Sequence, residues 1–217
     1  MGGDEWPFLG RQAVRRGEIS AYQLHQQYRP IYRNVYVAKD ATLTALTRAR
    51  AAWLWSGGNA TLTGVSAAAV LGTKWLNADD PAELNRPDRH AAPGIIVHSY
   101  DLGSGEECIV NGIRITSPER TAFDIGRVLP WSSAVPVLDA LANITNLKTG
   151  DVVTLADVKP GVRNVRRLRR TLPLVDGGAE SAQERRARVR VSAEMLSRPS
   201  VIIERVRRKP RAAGRPI

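Results

Sequence analysis

The chain has 217 residues, 43% of them apolar, and a formal net charge of +11. That length suits one large domain or two small ones, the apolar share suffices for a buried core, and no apolar run approaches the ~20 residues needed to span a bilayer. Cys108 is the sole cysteine, which excludes an internal disulfide and a cysteine-rich zinc site and fits a reducing cytoplasm, and His25, His90 and His98 are too scattered for metal-ligand spacing.

The N-terminus, MGGDEWPFLG, is acidic and lacks the apolar stretch of a secretory signal. FLGRQAVRR (8–16) reads as a short helix closed by Gly17. Ser20 suits the cap of a second helix over AYQLHQQY, with Leu24 and Tyr28 inward and Pro30 as its end. From Ile31 the text alternates, and Asn34 supports a turn, so 31–39 reads as a β-ribbon. Helix, turn, short polar helix and ribbon is the order of a compact winged helix.

TLTALTRARAAWLW (42–55) has helical spacing at Leu43, Leu46 and Trp53 and is stopped by Gly57-Gly58. ATLTG reads as a strand, VSAAAVLG as a small-residue helix, 74–93 as loop and GIIVHS (94–99) as a buried strand. EECIVNGIRIT (106–116) is a hairpin, because Asn111-Gly112 tolerates the positive φ of a type I′ turn. Ser117-Pro118-Glu119 starts a helix through RTAFDIGRVL. SSAVPVLDALANI follows as another, with Val135, Leu138 and Leu141 inward, and GVRNVRRLRRTL as a third, striped by Val162, Val165, Leu168 and Leu172. Asp176-Gly177-Gly178 reads as a hinge, 181–196 as a last helix and RVRRKPRAAGRPI as unfolded, with no internal repeat anywhere.

The charge is unevenly spread. Residues 1–162 hold 16 Lys/Arg and 16 Asp/Glu, while 163–217 hold 16 basic and 5 acidic residues, so the whole excess falls in the last quarter. A basic block of this kind suits a polyanion or a solvated tail. Arg163, Arg166, Arg167, Arg169 and Arg170 have no intervening acid and form either a phosphate-facing or a solvated helix face; Arg163, Arg166, Arg167 and Arg170 are the candidates taken from it. At the other end, Ser20, Tyr22, Gln23, Gln26, Gln27 and Arg29, flanked by Arg11, Arg15, Arg16 and Arg33, supply what a major-groove helix needs: glutamine for adenine, arginine for guanine or phosphate, hydroxyls for phosphate. The alternative is a solvated face on a small helical subdomain.

Catalytic patterns are weak. Asp124 and Asp139 lack a histidine or cysteine partner, and no phosphate-binding glycine loop is present. Ser181-x-x-Glu184 matches a capping box, and Glu194 and Glu204 are the only acids beyond it, without acid-x-acid spacing. No catalytic residue, metal or cofactor is expected.

The series PFLGRQAVRRGEIS, YRPIYRNVYVAKD, ARAAWLW, TGVSAAAVLGTKW, GIRITSPERTAFDIGR, LDAL and LVDGGAES resembles the actinobacterial AbiEi-type antitoxins of type IV toxin–antitoxin systems, over about residues 7–184. The resemblance implies an α+β protein: an N-terminal winged helix (1–40), an α/β domain (41–175) and a basic, disordered tail (176–217). It implies a cytoplasmic autorepressor that binds double-stranded DNA at its own promoter and opposes a nucleotidyltransferase toxin. Long relatives carry a domain similar to the very-short-patch-repair endonucleases; this chain departs from them after Glu184, so 176–217 is read as the remnant of that domain. The enzyme-class alternative is a metal-dependent endonuclease of the repair type, or its inactive truncated relative.

Overall fold

The computed structural model describes residues 6–74, 76–88 and 90–175, with the backbone of 203–205. The expected hinge at Asp176-Gly177-Gly178, the 181–196 helix and the Ser181–Glu184 cap lie outside the described residues. Within the stretch expected to be unstructured, the backbone of Ile203–Arg205 forms a strand, β9.

The N-terminal unit runs β1 (Phe8–Leu9), α1 (Gly10–Arg15), α2 (Ala21–Gln27), β2 (Tyr28–Tyr32) and β3 (Val35–Ala38), with its strands in the antiparallel order β1-β3-β2. Gly17, at φ +69°, turns the chain out of α1. Ser20 and Gln23 close a capping box on α2: the Ser20 Oγ accepts the Gln23 N–H at 3.1 Å and the Gln23 Oε1 accepts the Ser20 N–H at 2.8 Å. The helix stops three residues before Pro30. Tyr28 is already extended and pairs with Ala38, so Tyr28 to Tyr32 form a strand. Pro30 is tolerated there because β2 is the edge of its sheet.

Asn34, at φ +65°, makes the β2–β3 turn and also caps α1. Its Oδ1 accepts the Arg11 N–H at 2.9 Å and its carbonyl accepts the Gly10 N–H at 3.0 Å, two groups a helix start leaves unsatisfied. The hairpin turn thereby fixes the position of α1.

The rest is a mixed α/β body. α3 (Ala45–Trp55) is capped by Thr44 and buries Thr47, Ala49, Ala51 and Ala52; Leu43 precedes it, and Leu46 and Trp53 are half-buried, so the close-packing face is the small-residue one. β4 (Thr61–Leu62), α4 (Gly64–Leu71), β5 (Ala82–Asn85), β6 (Ile95–His98), β7 (Glu107–Val110) and β8 (Ile113–Thr116) follow. The strands join β9 in one six-stranded mixed sheet, order β6-β5-β4-β8-β7-β9. β5 lies inside the stretch expected to be loop. The hairpin turns at Asn111 and Gly112, both at positive φ, as expected.

Four helices close the body: α5 (Pro118–Val128), α6 (Trp131–Thr145), α7 (Thr149–Val158) and α8 (Val165–Thr171). Ser117 caps α5 with Pro118 in its first turn, as the sequence indicates. On α6 the buried residues are Ala134, Leu138, Leu141 and Ala142, with Val135 only half-buried. α7 has no counterpart in the sequence reading, and α8 is shorter than expected, starting after Asn164. Every residue of α5 from Arg120 to Arg127 is buried, because α4, α6, α7 and α8 all pack around it. A helix enclosed on all sides must satisfy its polar side chains internally.

Candidate nucleic-acid interface

The N-terminal unit concentrates positive charge that the chain-wide average conceals: residues 6–40 hold six Lys/Arg against two Asp/Glu. Arg11 and Arg15 on α1 and Arg33 at the hairpin turn line one groove of about 770 Å³, with Pro30 and Tyr36. All three arginines are exposed. Gly10 is required at the rim, since a Cβ there would stand 2.7 Å from the Tyr36 ring. Arg16 lies at the helix end and pairs loosely with Glu18 at 3.7 Å, an exposed contact of little energetic weight.

α2 presents the second group. Leu24 is its one buried residue. At 100° per residue, Tyr22 and Gln26 stand nearly opposite Leu24, neighbours at i, i+4, with Gln23 and His25 on their flanks. Tyr22 is 74% exposed. Gln27 is exposed too. Ser20 and Gln23 are engaged in the cap. Arg29 departs from its expected place on a recognition helix: it lies on β2, half-buried, and donates to the carbonyls of Lys39 (3.3 Å) and Ala41 (2.8 Å). Its guanidinium ties down the exit of the hairpin. His25, left out of the sequence-derived set, shares the exposed face of α2.

The α8 arginines divide as well. Arg169 pairs with Asp157 of α7 at 2.5 Å, so the run does have a nearby acid, supplied by the unforeseen helix. Arg167 donates to the Val128 carbonyl at 3.1 Å, satisfying the C-terminal end of α5. Arg163, Arg166 and Arg170 are exposed, and their side chains make no hydrogen bond or ion pair with another described residue.

A third cluster is buried. Arg120, 2% exposed, donates from Nε to Asp124 at 2.9 Å and from Nη1 to Glu106. Asp124 also accepts from Arg127 Nε at 2.9 Å and Thr63 Oγ1 at 3.1 Å, while Lys159 reaches Glu106 at 2.9 Å. Burial alone would lower the Arg120 pKa, but Asp124 and Glu106 outweigh it and the net shift is upward. Next to this cluster, His98 Nε2 meets Glu83 Oε2 at 2.7 Å and its ring stacks on Tyr100 at 4.4 Å. Glu83 Oε1 accepts the Val65 N–H at 3.2 Å, and Arg127 covers the Tyr100 ring at 4.4 Å. Burial pushes the Tyr100 hydroxyl up to about 12, against the opposing pull of Arg127. Asp124 thus has a cationic partnership the sequence did not suggest. Among the described residues no group of three or more His, Cys, Asp or Glu is placed to hold a metal ion. No described helix is long and apolar enough to cross a membrane.

No protein-family model matches the chain. It is 30% identical, over 164 residues, to two uncharacterized proteins of Mycobacterium tuberculosis, MT2308 of strain CDC 1551 / Oshkosh and Rv2248 of strain ATCC 25618 / H37Rv. The matched region is 73% of this chain and 58% of either relative, so the chain spans little more than half the length of the proteins it is similar to.

Proposed function

We propose that the N-terminal unit is a winged helix that binds duplex DNA, with the exposed face of α2 in the major groove and the β2–β3 ribbon as the wing. The observation that carries this reading is the pairing of a capped short helix, bare at Tyr22 and Gln26, with a groove lined by Arg11, Arg15 and Arg33. Amide side chains suit base edges, and unpaired guanidiniums suit phosphates. On the resemblance of its motifs to AbiEi-type antitoxins, the chain is an operator-binding autorepressor in the cytoplasm, paired with a nucleotidyltransferase toxin encoded beside it. It binds DNA without cutting it: Asp124, Glu106 and Glu83 each spend their carboxylates on internal partners.

The test is a mobility shift on the protein's own promoter. Tyr22→Ala with Gln26→Ala weakens operator binding by about 1–3 kcal/mol per lost base contact and leaves the melting temperature unchanged. Arg11→Ala with Arg15→Ala weakens operator and random duplex alike and flattens the salt dependence by roughly 0.9 per phosphate contact. Unchanged affinity in both variants sinks the reading, and plasmid nicking in Mg²⁺ or Mn²⁺ by the purified chain sinks its non-enzymatic part.

A further inference from the structure

The corner between α5 and α6 carries an exposed aromatic that neither the core nor the N-terminal unit uses. Trp131 opens α6 at 64% exposure, three residues after Val128, itself 38% exposed. α8 lies against this corner. Arg167 holds the Val128 carbonyl, and Gly126 lets Leu168 approach so closely that a Cβ at 126 would sit 2.4 Å from its Cδ1. Three residues of extended chain reach at most ~11 Å, so the Trp131 backbone lies within that distance of Val128, whose carbonyl Arg167 of α8 holds.

On α8, Val165 and Leu168 are buried and Arg166 and Arg170 fall on the opposite side, while Arg163, just before the Asn164 cap, is exposed too. Arg166 and Arg170 are one helical turn apart, a rise of ~6 Å. We propose that this corner and the outward face of α8 bind single-stranded nucleic acid, Trp131 stacking on a base and Arg163, Arg166 and Arg170 holding successive phosphates.

A duplex hides its base faces, so an exposed indole contributes only where bases are unstacked, and arginines combined with an aromatic platform are the usual composition of a single-strand surface. An acidic protein patch is the rival occupant. Against it, the sequence after α8, residues 176–217, is itself basic, with 11 Lys/Arg to 5 Asp/Glu, a composition that suits a polyanion. The inference stands apart from the N-terminal reading and survives its failure.

The experiment measures the anisotropy of a labelled twelve-residue oligothymidylate titrated with the full chain, with a duplex of equal length and polyglutamate as comparison ligands. Trp131→Ala weakens oligothymidylate binding about 5- to 160-fold, the worth of one stacked base, and Trp131→Phe recovers most of it. Charge reversal at Arg163, Arg166 and Arg170 lowers the magnitude of the salt slope by about 2, at ~0.7 per single-strand phosphate. The Tyr22→Ala, Gln26→Ala variant leaves oligothymidylate binding intact. Wild-type affinity in Trp131→Ala overturns the proposal, as does loss of single-strand binding in the α2 variant, or polyglutamate binding as tight as oligothymidylate and equally insensitive to Trp131. Each variant is checked by its melting curve, which surface changes at exposed positions leave in place.

Discussion

Arg120 and Arg127 in the α/β body and Arg11, Arg15 and Arg33 in the N-terminal unit are the same residue under opposite conditions. The first two are 2% and 6% exposed, Arg120 held by Asp124 and Glu106 and Arg127 by Asp124, on a helix that packs on every side. The other three line an open groove and meet no acid there. A guanidinium taken out of water must be matched inside the protein, whereas one left in water keeps its charge for another molecule. Burial, then, and not the count of arginines, separates those that hold the fold from those available to a partner.

Removing the match breaks that contrast most sharply. Asp124→Ala strands the buried Arg127 guanidinium, leaves Arg120 with Glu106 as its one carboxylate, and is expected to cost about 3–5 kcal/mol, read from urea unfolding. A loss below about 1 kcal/mol means that the cluster is hydrated and that the two arginine classes do not differ in kind. Gly126→Ala comes next: its methyl would press on Leu168 at 2.4 Å and push α8 off α5, while Ala gains ~1 kcal/mol of helix propensity. Overpacking of about 1–3 kcal/mol leaves a net loss of about 1 kcal/mol.

The parts of this fold that were legible in the sequence are those whose partners are local. Asn111-Gly112, Ser117-Pro118 and Ser20 each announce a turn or cap through their own chemistry. β5 was not legible because its strand, AELN, is polar at alternate positions yet buried throughout: Glu83 is satisfied by His98 and Val65, and Asn85 by Tyr100, all distant in sequence. The cap on α1 is hidden in the same way, since Asn34 supplies it from 23 positions on. Arg29 looked like a reader of DNA by its neighbours in sequence and is diverted by two carbonyls beyond the hairpin. Of the proposed interface, residue types were readable and accessibility was not.

Tyr100 sharpens the comparison through pH. Its folded pKa is about 12 against an ordinary value of 10.0. A raised pKa contributes stability that is fully present below the unfolded value and lost as pH rises through the folded one, so the loss falls between about pH 10 and 12. Tyr100→Phe lacks this component, and the wild type is expected to lose stability relative to it across that window, with a late-titrating phenolate in absorbance. Equal pH profiles mean that the ring beside Arg127 is effectively solvated.

The smallest expected effect closes the comparison from its other side. Arg11→Ala, Arg15→Ala and Arg33→Ala together remove three charges from a unit that holds six basic and two acidic residues in positions 6–40. The Arg11 N–H that Asn34 caps belongs to the backbone and survives the change. Arg15 forfeits only an exposed 3.3 Å bond to the Arg11 carbonyl. Exposed side chains without a buried partner are worth little to the fold, so the triple variant should unfold within about 0.5 kcal/mol of wild type. Relief of like-charge repulsion in the groove can tip that difference toward greater stability, most visibly at low salt, where screening is weakest. A loss of 2 kcal/mol or more would instead place these arginines with Arg120 and Arg127 as part of the scaffold, and the groove would no longer be a surface left open for phosphate.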